Sequence, residues 1–407
     1  MTPSPSNLVD QGHTRVSDVR HKGDRRSAWV DNIRTAVVVL VVNLHSCVTY
    51  SHVGDWYLKD GPEGNLYEKL PYIFWIFHLQ SFSMGLLFFL AGAFADRAIR
   101  RHGPGLFLRE RLFRLGAPSL LYMAVLQPII VFGLLGARPI TDASSLIPVY
   151  KLYLTSGQVL GGSGPMWFAL ALLGFCTLFA VWRAFFINES HTATERAPQT
   201  GMLFSFALAL VLATAIVRGV FPVGTSFFNF QLCYFPQYVA AFVAGAAAGR
   251  GGWLDNLATS QRARFAGYLA LLCGPLSLAL LLFLGGGPTE GPNPGEHGPI
   301  LYFGGWNLQA FGAAAWEQFT GVGLALGMMA LFHQAFNQAG PVARWLSARS
   351  FAVYVLHAPL LISLTLLFRS VHVDPLSHVL LLTVSTLVVS FAVADIAKRT
   401  PLLRNVL

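Results

Sequence analysis

The stretch from Trp29 to Tyr50, WVDNIRTAVVVLVVNLHSCVTY, decides the reading of the whole chain. It is long and apolar enough to cross a bilayer as a helix. It also carries Asp31, Arg34 and His45, three groups that hydrocarbon does not solvate. Arg34 and His45 are eleven residues apart. At about 100° per residue, eleven steps return to within roughly 20° of the starting direction, about 16 Å further along the axis. The two therefore share one stripe, with Asp31 close to it. Ionisable groups inside a membrane usually face a bundle interior or a water-filled cavity, so this stripe reads as one wall of a reaction cavity. The alternative is that Asp31 and Arg34 anchor the helix at the membrane edge while His45 packs in a core.

The rest of the chain has the same character. Of 407 residues, 54% are hydrophobic and 12% charged, and the balance holds along the whole length. That composition predicts an all-α, polytopic membrane helix bundle. The net charge of +9 does not point to nucleic acid, because the basic residues sit in short loops between apolar runs. Cys47, Cys176, Cys233 and Cys273 lie within apolar runs and form no CxxC, so neither a disulfide frame nor a zinc site is expected. His45, His78, His333 and His357 fall on four different predicted helices, and HExxH and CxxCH are absent, so no metal is expected either. The sequence has no Walker loop, GxGxxG or GxSxG, which removes support for nucleotide-driven chemistry and for a hydrolase elbow.

Hydropathy divides the chain into about ten transmembrane helices, at 29–51, 71–96, 115–136, 165–187, 201–221, 230–249, 265–285, 305–334, 350–369 and 376–397. Residues 1–28 read as a polar, disordered tail, 29–397 as one transmembrane domain and 398–407 as a short tail. The predicted loop 97–114 holds six arginines, Arg97, Arg100, Arg101, Arg109, Arg111 and Arg114. Most Lys and Arg fall on the side of the N-terminal tail, so the positive-inside rule predicts an inner (plasma) membrane protein with both termini cytoplasmic. The opposite loops are rich in Gly and Pro, most of all 285–299, GGGPTEGPNPGEHGP. They could shape an acceptor site or serve as passive linkers. No internal repeat is evident, which weakens a transporter reading.

Candidate chemistry lies within the apolar runs. The second, FWIFHLQSFSMGLLFFLAGAF, contains His78, Gln80, Ser81 and Ser83. The eighth contains Trp316, Glu317 and Gln318, and an isolated ionised carboxylate such as Glu317 needs a partner in hydrocarbon. The sixth, NFQLCYFPQYVAAF, brings Gln231, Tyr234, Gln237 and Tyr238 around Pro236. His333 and His357 fall nearer the cytoplasmic ends of their predicted spans. Arg111 and Arg114 are three apart and share a helix face, where guanidinium forks could hold phosphates at the membrane surface. Topogenic charge with anionic lipid contact is the other reading of that cluster.

Taken together these stretches resemble acyltransferase family 3, a family of membrane O-acyltransferases, and its glucan biosynthesis protein C-like branch in particular. Arg34 and His45 match the family's Arg-x10-His, and FFLAG at Phe88 to Gly92 is similar to its FFLxSG motif, with Ala91 in place of serine. Arg111 and Arg114 match its RxxR. Ser350, Tyr354, His357 and Pro359 resemble its closing S-x-x-x-Y-x-x-H-x-P, and FPQY and WEQ are similar to the branch pattern. Trp167 is followed five residues on by Leu172, where many sugar O-acetylating members carry glutamate.

The resemblance spans roughly residues 28–397. It implies transfer of an acyl group, commonly acetyl, from cytoplasmic acyl-CoA to a hydroxyl of a glycan or another extracytoplasmic or lipid-linked acceptor. Acyl-CoA would be a co-substrate, and no cofactor is implied. His45 would be the base or a transient acyl carrier, and Arg34 a donor-positioning or structural group. Glu317 would stand near the reaction, Arg111 and Arg114 would bind the donor, and Asp31, His78, Tyr238, Tyr354 and His357 would line the cavity. Membrane lipids are the other expected partner. A transporter or flippase for an amphipathic sugar or lipid is the competing reading.

Overall fold

The computed structural model of the chain describes residues 27–136, 143–186, 196–285 and 300–400. The expectations for the tails 1–26 and 401–407 and for the Gly/Pro stretch 286–299 fall outside those residues. Ten helices of thirteen residues or more carry the fold: α1 Ala28–Ser51, α2 Leu66–Arg111, α3 Ala143–Thr155, α4 Trp167–Phe186, α5 Thr200–Val220, α6 Phe235–Gly251, α7 Gln261–Leu284, α8 Leu308–Ala335, α9 Pro341–Phe368 and α10 Pro375–Arg399. The described residues form no strand beyond one isolated bridge between Phe227 and Phe230.

Eight helical runs among the described residues are long and apolar enough to cross a membrane, and one of them covers Leu66–Leu134. That run contains the predicted second and third spans. The region 97–114, read from its charge as a loop, is helical: α2 continues to Arg111, and wide π-type turns and a short α-turn carry it to Leu134. The sole non-helical residue inside α2 is Gly103, with φ 75 and ψ 161, directly before Pro104. One residue with positive φ breaks the helix axis without opening a loop. The predicted eighth span is α8, which is not among the eight apolar runs. Glu317, Gln318, His333 and Gln334 make it too polar, and its polar middle is covered by neighbouring helices: Glu317 and Gln318 are buried.

α2 is the central helix, packed against α6, α8, α4 and α1. Its contact with α6 is close because both surfaces are small. A Cβ at Gly92 would fall on the carbonyl oxygen of Phe242, one at Gly245 on that of Phe89, and one at Gly249 on that of Ala93. Between membrane helices, where lipid removes the hydrophobic drive, such close backbone approach supplies the packing energy. The FFLAG resemblance thus has a structural role through Gly92. α7 is fastened to α8 in the same way, with Gly267 facing Gly327. α9 and α10 pack on α1 and complete the wall behind His45.

α1 ends at His52, whose left-handed backbone (φ 58) lets its N–H cap Val48 O. The chain then turns back over the end of α1 in a loop, 52–65. Asp60 holds it to Arg369 at 3.0 Å, and Asp60 N donates to Thr49 O at 2.9 Å. A capping box closes the loop: Asn65 Oδ1 accepts from Glu68 N at 3.2 Å, and Glu68 Oε2 accepts from Asn65 N at 2.9 Å.

Candidate active site

His45 lies about three-quarters of the way along α1 and meets His357 of α9 and Trp56 of the returning loop. Its ring stacks on Trp56 with centroids 3.6 Å apart and planes 17° from parallel. The His357 ring is 5.4 Å away at 13°. Sequence spacing places His357 nearer the opposite end of its span. The structure corrects this: α9 begins at Pro341, nine residues before the predicted start, so His357 reaches the level of His45.

His357 is fully buried, and its Nδ1 lies 2.7 Å from the carbonyl oxygen of Tyr354. A carbonyl only accepts, so Nδ1 carries the proton and Nε2 presents a lone pair. That Nε2 is buried without a hydrogen-bond partner, as are His45 Nδ1 and Trp56 Nε1. Buried polar atoms are normally paired, and three orphans in one ring cluster mark a place where a polar group belongs. Tyr354 is tied down in turn, its hydroxyl donating to the carbonyl of Pro165. Tyr57, next to Trp56, holds the loop in place. Its hydroxyl lies 3.2 Å from that of Tyr122 and donates to Gln127 Oε1.

A second polar cluster lies at the same end of the bundle. Arg218, at the end of α5 and 2% exposed, pairs with Glu317 of α8 at 2.6 Å. Gln318 Nε2 donates to the other oxygen of Glu317 at 3.2 Å, and Gln237 Nε2 donates to Gln318 Oε1 at 3.2 Å and to Ser81 O at 2.6 Å. The intramembrane carboxylate has thus found its partner, and both of its oxygens are engaged. The Arg218 guanidinium also stands 5.2 Å from the Tyr234 ring centre.

Tyr238 accepts from Gln80 at 3.4 Å and stacks on Trp167 at 5.6 Å. Trp167 and Phe168 fill the space between the two clusters, since Phe168 meets Tyr354 edge-on at 6.4 Å. His78 donates from Nδ1 to Phe74 O at 2.6 Å and packs edge-on to Trp316 at 5.1 Å, with Nε2 buried and unpartnered.

The structure therefore brings His45, His357 and Tyr354 together and joins Glu317 and Tyr238 in the neighbouring cluster, with His78 on its flank. It separates the basic candidates from them. Arg34 pairs with Asp31 at 3.4 Å in the first two turns of α1 and stands over Phe94 at 5.1 Å. Arg111 lies over Phe107 at 5.2 Å, and Arg114 is exposed. Sequence reasoning missed Trp56, Tyr57, Tyr122, Gln127 and Arg218. The aromatic pair directly after the histidine-bearing helix was a usable signal for the first two. Arg218 reads as an edge charge until its partner on α8 is seen.

No curated protein and no solved structure matches the chain. A family model does: Acyl_transf_3, described as an acyltransferase domain, matches residues 27–395. With that match across nearly every described helix, and with eight apolar runs long enough to span a bilayer, the chain belongs to this acyltransferase family and is a membrane protein.

Proposed function

We propose that this protein is an O-acyltransferase that moves an acyl group, acetyl in the simplest case, from cytoplasmic acyl-CoA to a hydroxyl of a glycan or another extracytoplasmic or lipid-linked acceptor. The observation that carries the proposal is the ring cluster of His45, Trp56 and His357, with its three unpartnered buried nitrogens. In this reading the acceptor hydroxyl enters beside His45. His45 removes its proton as the oxygen attacks the thioester carbonyl. The tetrahedral intermediate collapses, the C–S bond breaks, and the departing thiolate takes the proton back from the imidazolium. Alternatively the imidazole attacks the thioester first, the C–S bond breaks and the thiolate leaves, and the acyl-imidazole then passes the acyl group to the hydroxyl, whose proton goes to the thiolate.

Tyr354 orients His357, and His357 Nε2 accepts a hydrogen bond from the acceptor or from water beside it. Glu317 enters as the counter-ion that keeps Arg218 in place, because both its oxygens are already engaged. Arg111 and Arg114 hold the donor's phosphates at the opposite, basic end, and Arg34 with Asp31 positions the donor at that same end. His78 and Tyr238 line the acceptor side. The test is purified protein in liposomes supplied with labelled acetyl-CoA and a panel of hydroxyl acceptors. Acyl-CoA-dependent labelling of an acceptor is expected. Flux of an amphipathic sugar or lipid without acyl-CoA, and without labelling, would instead establish the transporter reading.

A further inference from the structure

At the end of the bundle away from His45, three helices bring arginines onto one buried carboxylate. Asp96 of α2 is fully buried, although it follows the apolar run FFLAGAFA. Arg100 Nη2 lies 2.8 Å from its Oδ2, Arg250 Nε of α6 lies 3.8 Å from its Oδ1, and Arg183 Nε of α4 lies 4.0 Å from Oδ1. Arg100 also donates to Gly249 O at 3.0 Å, which fixes its direction. Arg183 and Arg250 turn their Nε edges toward Asp96, yet both Nε atoms are buried without a hydrogen bond. Arg250 rests on the Trp182 ring at 5.6 Å.

Three guanidiniums therefore share one anion. A buried carboxylate needs one counter-ion, and this one has two more than it needs. Surplus guanidiniums held together on rigid helices repel one another unless a second anion joins them. Their forks match the paired oxygens of a phosphate. Two more arginines stand over the nearby Phe94 ring, Arg97 at 5.7 Å and Arg34, which is paired with Asp31, at 5.1 Å. Arg111 lies within electrostatic reach of Cys176, two turns before Arg183 on α4.

We infer that the Asp96–Arg100–Arg183–Arg250 cluster is a binding site for a phosphate-class dianion, a diphosphate or phosphomonoester. Asp96 sets the spacing of the guanidiniums, and the ligand completes their charge balance. Two sources share this chemistry, the phosphates of a nucleotide-type donor and the phosphomonoester headgroup of an acidic lipid. Only the first of these sources rests on the acyltransferase reading.

The experiment uses the full chain in phosphatidylcholine nanodiscs, with inorganic pyrophosphate as probe and thermal unfolding as readout. Pyrophosphate should raise the unfolding midpoint of wild type and of the control R264Q/R344Q, which removes the same charge at exposed positions elsewhere. In R183Q/R250Q the concentration needed for half the effect should rise about tenfold or more, the scale of one lost charge-assisted hydrogen bond. If that variant does not fold, Arg250→Gln alone carries the same comparison.

Competition then separates the sources. Displacement of labelled acetyl-CoA by pyrophosphate from wild type, but not from the variant, assigns the donor. Loss of the pyrophosphate effect in nanodiscs containing phosphatidic acid, whose headgroup is a phosphomonoester, without such displacement, assigns the lipid. Equal pyrophosphate responses in wild type and a folded R183Q/R250Q, or no response in wild type, would overturn the site. Failure of acyl transfer would remove the proposed reaction while leaving the pyrophosphate response as it is.

Discussion

Replacing Glu317 by Gln leaves the shape of α8 unchanged and removes one charge from a buried pair. The Arg218–Glu317 separation is 2.6 Å, and Arg218 is 2% exposed. At an effective dielectric of about 20, that distance corresponds to a gross attraction of about 6 kcal/mol, most of which offsets the desolvation of both ions. The net value of the pair is therefore small, but breaking it is costly, because an uncompensated guanidinium stays behind. Glu317→Gln should destabilise the protein by about 3–5 kcal/mol. The double variant R218M/E317L removes both charges and should lose far less. Reversible unfolding of purified protein in one fixed detergent mixture gives the comparison. If Glu317→Gln lies within about 1 kcal/mol of wild type, or if the double variant is the weaker of the two, the pair is not the clamp described here.

Other expectations follow from contacts elsewhere in the bundle. Gly245→Val drives a side chain into the backbone of Phe89 and should cost about 1–3 kcal/mol of stability, whereas Gly105→Ala, with nothing within 4 Å, should be silent in the same unfolding assay. Trp56→Ala removes the ring stacked on His45, worth about 0.5–1.5 kcal/mol, and should lower turnover up to about tenfold without changing donor binding. Unchanged turnover in steady-state assays would reduce Trp56 to a loop anchor. Arg111→Lys/Arg114→Lys keeps the charge but loses the planar fork, so acyl-CoA binding measured by equilibrium dialysis should weaken. Wild-type binding by both this variant and the double-Ala variant would leave the pair as a topology signal.

Much of the architecture was legible because it rests on local pattern. Each apolar segment falls within the helical framework, the second and third in one continuous run, and Arg34 and His45 lie on one helix, well apart along its axis. The region 97–114 misled because six arginines and Gly103-Pro104 have the composition of a loop, while the backbone needed only one non-helical residue to turn. Hydropathy ranks α8 low for a related reason: its polar residues are satisfied by other helices, and a sliding window sees no other helix.

The site was less legible than the fold. The meeting of His45 with His357 depends on how α9 slides against α1, and a nine-residue error at the start of α9 moves His357 by about 13 Å. Trp56 joins the site only because the 52–65 loop folds back, held by Asp60 and Arg369, which are more than 300 residues apart. The Asp96 cluster draws on three helices whose arginines look separately like ordinary membrane-edge charges.

The most direct test of the account is single-turnover acyl transfer by His45→Ala in liposomes, with labelled acetyl-CoA and an acceptor that wild type uses. The imidazole makes no hydrogen bond from its buried Nδ1, so its loss should leave the fold and donor binding intact. Turnover should fall by about a hundredfold or more, the scale of a missing general base. A folded His45→Ala protein that binds acyl-CoA and transfers the acyl group at close to the wild-type rate would contradict the account and leave His45 as a packed core histidine.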